Sequence, residues 1–151
     1  MSTIFDKTVA DALRSRIVNL TPDLSAQWGK MNVNQMMCHV TDGFQMATGE
    51  RPIADRSNLL TRTLLKFVVV KLIKMPKDAP TAPGLDQMKE GTKPGEFEDN
   101  RSDLIDALDR ISDLPDDHVW AAHPVFGKMS QKDWGVLGYK HIDHHLRQFG
   151  V

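Results

Sequence analysis

Trp134-Gly-Val-Leu-Gly-Tyr-Lys-His-Ile-Asp-His-His-Leu-Arg-Gln-Phe149 is the stretch on which the fold turns. Wound at about 100° per residue from Trp134, it places His141 at about −20° and His145 at about +20°. Leu137, Ile142, Gln148 and Phe149 flank them, while Lys140, Asp143 and Arg147 fall on the far side. The pattern is an amphipathic helix whose apolar stripe carries two imidazoles at its centre. His144 falls at the edge of that stripe, at about −80°.

Buried imidazoles need partners for both ring nitrogens, and two charged rings side by side repel. One shared divalent metal resolves both demands, because neutral imidazole is a good ligand and residues four apart on a helix share a face. A pair of hydrogen-bonded core histidines is the plainer alternative. A third ligand elsewhere in the chain would favour the metal.

Outward from this helix, the same start signal occurs twice. Trp28-Gly-Lys-Met-Asn32-x-x-Gln35-Met36 parallels Phe126-Gly-Lys-Met-Ser130-x-x-Asp133-Trp134. Each supplies an N-cap, an N3 acid or amide and a hydrophobic staple. The first opens a helix ending near Gly49, with Val33, Met36, Met37, Val40, Phe44 and Ala47 on its stripe and His39 on the flank. A first helix is expected over 4–19, opened by a capping box at Thr3-Ile-Phe-Asp6 and carrying Phe5, Val9, Leu13 and Ile17 at four-residue intervals. Residues 57–74 read as a third helix, apolar on most sides, buried both by the bundle and by a second subunit. The stretch 76–99 is broken by prolines and glycines and reads as a long irregular crossover. Residues 100–113 read as the next helix, and 115–129 as a link to the last. No segment reads as a strand with a partner, so the expectation is all-α, in one domain over residues 1–151.

Composition narrows the function classes. The formal net charge of −1 gives no field that attracts nucleic acid or an anionic membrane. A single cysteine, Cys38, excludes an intramolecular disulfide and fits a reducing cytoplasm. The amino terminus reads as a helix start and not as a signal peptide, and the most apolar run, 64–73, is too short and too charged to span a bilayer. There is no Gly-rich phosphate loop, nucleophile elbow, paired CxxC or HExxH. No glutamate is placed to act as a general base, which argues against peptidase-like chemistry.

Three histidines therefore lie on helices with a defensible inward face: His39, His141 and His145. Three neutral imidazoles with one open position is a catalytic style of zinc or nickel site. His144 could stand in for His145. His123, before a proline, is first a loop hydrogen-bonder, with a fourth ligand or proton shuttle as alternatives. Asp42, one turn beyond His39, is either solvated or placed to orient an imidazole. Cys38 reads as an inert buried thiol. Trp134 and Tyr139 read as core or pocket wall.

Met36-Met37-Cys38-His39, with His141-Ile-Asp-His144-His145-Leu-Arg-Gln148, resembles the DinB/YfiT-like metalloenzyme superfamily. His123-Pro-Val-Phe-Gly127, Trp134 and Tyr139-Lys-His-Ile-Asp-His-His-Leu-Arg-Gln-Phe-Gly150 look like an uncharacterised branch of it, a domain of unknown function. The resemblance implies a four-helix bundle of up-down-down-up connectivity, often a homodimer, with a divalent metal held at the positions of His39, His141 and His145. It also implies a small-molecule substrate, and it makes transfer chemistry dependent on a low-molecular-weight thiol the favoured class. A non-catalytic dimeric bundle with a structural metal or a hydrogen-bonded histidine cluster is the competing expectation.

Overall fold

The computed structural model describes residues 1–77 and 79–151. Among them the chain is all-helical: α1 Lys7–Val18, α2 Val33–Thr48, a helical segment over 59–72, α3 Phe97–Ser112 and α4 Gln131–Gln148. One short 3-10 turn covers Pro83–Leu85. The sole β pairing among the described residues is the isolated bridge between His123 and Gly127.

The packing is helix on helix. α2 lies against α3 and α4, and α1 lies against the same two. Ile4, Ile17, Met36, Met37, Leu104, Leu108, Ile142, Leu146 and Phe149 are fully buried in one continuous apolar cluster between them. α2 is the most enclosed element, because most of its residues from Met36 to Ala47 are buried. Its start is as expected: Asn32 Oδ1 accepts from Gln35 N at 2.8 Å, and Gln35 Oε1 accepts from Asn32 N at 2.9 Å. Such a cap contributes about 1 kcal/mol. Gly49 closes the helix in the left-handed region at φ 87°. α4 opens with Asp133 N donating to Ser130 Oγ at 3.1 Å.

Two helix starts differ from expectation. α1 begins three residues late, since the Asp6 carboxylate and not Thr3 accepts from the N–H groups of Thr8 and Val9. An aspartate at that position offers a charged acceptor to the first turn, and Thr3 Oγ1 instead accepts from Phe5 N at 3.3 Å. α3 begins three residues early, and Asn100 is enclosed within it, bonded to both Gly95 backbone groups.

The 59–72 segment departs furthest. It is a helix, but Thr61–Leu65 and Val68–Leu72 are wound in π fashion, with Lys66 N donating to Thr61 O and Ile73 N donating to Val68 O. Only Val70 of this segment is buried, so the bundle covers far less of it than expected. Closing each turn over five residues brings i and i+5 to the same side. Leu59 and Leu64, Leu60 and Leu65, and Phe67 and Leu72 then fall toward one side, and Lys66 and Lys71 toward the other. A sequence that is apolar all round at α pitch becomes sided at this one. No described helix is long and apolar enough to cross a membrane.

A candidate metal centre

α2 and α4 bring three histidines together. His39 sits two turns into α2, and His141 and His145 lie one turn apart on α4. The ring centroids form a nearly equilateral triangle: 4.8 Å from His39 to His141, 4.8 Å from His39 to His145 and 4.9 Å from His141 to His145. One ligating nitrogen from each ring lies within 4.8 Å of the others. His39 and His145 are buried, and His141 keeps part of its surface open.

The hydrogen bonds behind two of the rings fix their tautomers. His39 Nδ1 lies 2.7 Å from the Leu85 carbonyl oxygen. A carbonyl only accepts, so Nδ1 carries the proton and Nε2 is left with a bare lone pair. His145 Nδ1 lies 2.8 Å from Gln148 Oε1, while Gln148 Nε2 donates to the Trp28 carbonyl at 2.6 Å. The second bond holds the Gln148 amide in one orientation, so its oxygen faces His145 and takes the Nδ1 proton. His145 Nε2 is therefore also a lone pair. Backbone carbonyl or amide oxygen behind a ring is the usual arrangement that sets and strengthens an imidazole ligand.

His141 completes the group, with Nε2 2.9 Å from His39 Nε2. Two bare lone pairs at that distance repel, so either His141 donates a proton into the contact or a cation lies between the rings. Two nitrogens about 2.05 Å from one ion stand about 2.9 Å apart at a right angle and about 3.3 Å apart at the tetrahedral angle, so the His39–His141 pair fits a divalent metal. Titration fits as well. Burial depresses the basicity of His39 and His141, the latter well below the ordinary histidine range, and takes His145 down to about 3. Neighbouring imidazoles push His141 and His145 the same way. All three are neutral near pH 7, the form that ligates.

Gly43 makes room for the third ring. It lies four residues after His39 on the same face of α2, and a Cβ built there would stand 3.1 Å from His141 Cε1 and 3.3 Å from Nδ1.

The remaining candidates lie around this core. His144 turns away from it: its Nε2 accepts from Trp28 Nε1 at 3.4 Å. His123 serves its loop, with Nδ1 accepting from the N–H groups of Val125 and Phe126 at 3.1 Å each. Its proton is thus on Nε2, and burial lowers its pKa to about 4. Trp134 is buried beside His123 and Trp120, with ring centroids at 5.5 and 6.3 Å. Tyr139 is half-buried against the core. The Cys38 thiol, pushed up to about 11 chiefly by burial, is unreactive.

Asp42 makes no bond to an imidazole. Its buried carboxylate accepts from Gln87 Nε2, Thr92 N and Thr92 Oγ1 at 2.8, 2.9 and 2.6 Å, and Arg51 lies 3.4 Å away. Arg51 adds bonds to Gly84 O and Glu90 O. The irregular crossover expected over 76–99 is, across 84–92, a segment pinned to α2, and it delivers the Leu85 carbonyl to His39. Position 78 of that crossover lies outside the described residues.

A family described as "Protein of unknown function (DUF1569)" matches residues 4–150. The chain belongs to that family. No curated protein and no solved structure is a match. The DUF1569 match spans His39, His141 and His145 together with the groups that orient them.

Sequence reasoning missed three of those groups. Gln148 had a readable signal, an amide three residues after His145 on the same face. Gly43 had a weaker one, a small residue one turn after His39. The Leu85 carbonyl had none, because a backbone oxygen 46 residues away in sequence leaves no mark on composition or period.

Proposed function

We propose that His39, His141 and His145 hold one divalent metal ion, zinc or nickel, through their Nε2 atoms, and that the protein is a metal-dependent enzyme with an open coordination position. The observation that carries this reading is the convergence of Nε2 lone pairs whose tautomers are set from behind by Leu85 O and Gln148. When bound, such an ion supplies Lewis-acid activation of a water or thiol at neutral pH. The chain's own residues supply position: α2 and α4 set the rings, Gly43 seats His141, and the pinned 84–92 segment keeps His39 turned inward. The resemblance to DinB/YfiT-like proteins supports a four-helix bundle of up-down-down-up connectivity in one domain over residues 1–151. It also supports transfer to or from a low-molecular-weight thiol as the reaction class. The single, buried Cys38 supports the cytoplasm as its setting.

The test is metal analysis of protein purified without a nickel column, beside His39→Ala. The expected result is about one equivalent of metal per chain, lost in the variant. The reading fails if neither the purified protein nor protein titrated with zinc or nickel binds one equivalent saturably.

A second reading rests on the 2.9 Å contact between His141 Nε2 and His39 Nε2, which is also the length of an N–H···N hydrogen bond. In this reading the cluster is a polar core without chemistry, and a chelator leaves the melting temperature unchanged.

A further inference from the structure

The 59–72 segment is inside-out. On its outer side Leu59, Leu60, Leu64, Leu65, Phe67 and Leu72 are between 40% and 79% exposed. Two of its three cations are engaged by the body of the protein, and the third by the residues just ahead of the helix. Arg62 donates to Asp55 and Ser57, Lys66 Nζ to Lys128 O at 3.2 Å, and Lys71 Nζ to Asp133 at 2.6 Å. Lys140 of α4 donates to the carbonyls of Val69, Val70 and Ile73, and ties down the end of the helix. The helix is thus held in place by polar bonds from below, and its apolar side is left without a partner.

We infer that this outer side is the interface with a second copy of the chain, packed segment against segment about a two-fold axis. Three observations select that occupant. First, each fully exposed side chain of this size offers about 100–200 Å², so the six residues present on the order of 500 Å². That is at the upper end of the largest apolar patches on monomers, and with a polar rim it approaches the roughly 800 Å² per partner of a stable complex. Second, the outer side carries no charge of its own. A surface for anionic lipid or nucleic acid would turn its cations outward, whereas Lys66 and Lys71 are bonded to the body and the exposed Arg62 is neutralised by Asp55. Third, these bonds lessen the like-charge repulsion that would otherwise oppose pairing identical basic segments. A leucine-rich, uncharged, self-complementary stripe matches an isologous interface, whose apolar core resembles a protein interior. The inference is independent of the metal site.

The experiment is sedimentation velocity of the full chain across a concentration series, with Leu64→Glu and, as a control elsewhere on the surface, Val18→Glu on α1. Val18 is also an exposed apolar residue. The wild type and Val18→Glu are expected to sediment at twice the chain mass. Leu64→Glu is expected to sediment as a monomer, its dimer constant weakened at least about 100-fold by burial of an unpaired carboxylate. Because Leu64 is exposed in the single chain, the far-UV circular dichroism of the Leu64→Glu monomer is expected to keep its helical content. A wild type that stays monomeric throughout the series overturns the proposal, as does a dimer that persists in Leu64→Glu. Co-sedimentation of a monomeric wild type with phosphatidylserine vesicles, abolished in Leu64→Glu, would assign the stripe to a lipid surface instead.

Discussion

Replacing Gly43 with alanine separates the stability of the helix from the geometry of the site. In a helix interior the change ordinarily stabilises by about 1 kcal/mol, because glycine loses more backbone freedom on folding. Here the new methyl would stand 3.1 Å from His141 Cε1 and 3.3 Å from Nδ1. Comfortable carbon contacts lie at about 3.5–4.0 Å, so the ring must retreat by about 0.4 Å. The strain offsets the helix gain, and the metal-free protein should melt within about 4 °C of the wild type. Metal sites tolerate ligand displacements of only about 0.2 Å, so affinity should fall about 10- to 100-fold, or roughly 1.4–2.7 kcal/mol. Competition against a chromophoric zinc chelator gives the affinity, and thermal melts in excess EDTA give the stability. A Gly43→Ala protein that gains the full helix increment and binds zinc as tightly as the wild type would show that His141 is neither seated by Gly43 nor held as a ligand.

Acid should unfold the metal-free protein early. His145 and His123 titrate near 3 and 4 when folded but near 6.5 when unfolded, so between those values the unfolded chain binds more protons. Stability is therefore fully present above about pH 6.5 and is lost as pH falls toward 3. At pH 5 each group costs about 2 kcal/mol, and His39 and His141 shift in the same direction. Urea titrations in EDTA should show this slope, and equal stability at pH 5 and pH 7 would exclude it. Asp42→Ala strands the Gln87 amide and both Thr92 donors, so about 3 kcal/mol of stability should go. Hydrogen exchange at 85–92 should quicken, with zinc affinity about tenfold lower; unchanged affinity would uncouple that segment from His39.

The histidine arrangement was legible because it is written at helical spacing. His141 and His145 share a face by arithmetic, and the capping box at Asn32 and the N-cap at Ser130 set the register of both helices that carry the cluster. Legibility ended where two local signals competed or where a contact was distant. Thr3 and Asp6 both qualify as N-caps, and the charged acceptor won. The 59–72 helix misled because its periodicity was read at α pitch. Its Leu–Leu and Lys–Lys repeats of five make sense only once the turn widens, and nothing local in the sequence announces that. Asp42 read as solvated or second to an imidazole because its partners, Gln87 and Thr92, are 45 and 50 residues on.

The bond from His39 Nδ1 to the Leu85 carbonyl also makes one loop a reporter. An imidazole whose Nε2 shares its electrons with a positive centre becomes more acidic at Nδ1 and grips its acceptor harder. Leu85 lies in the same pinned segment as Gln87 and Thr92, which Asp42 holds from a position three residues after His39. Any change in electron demand at one nitrogen is thereby converted into tension on a surface-bound stretch of backbone. The crossover, which contributes no side-chain ligand to the cluster, is in this sense the gauge from which the state of the cluster can be read.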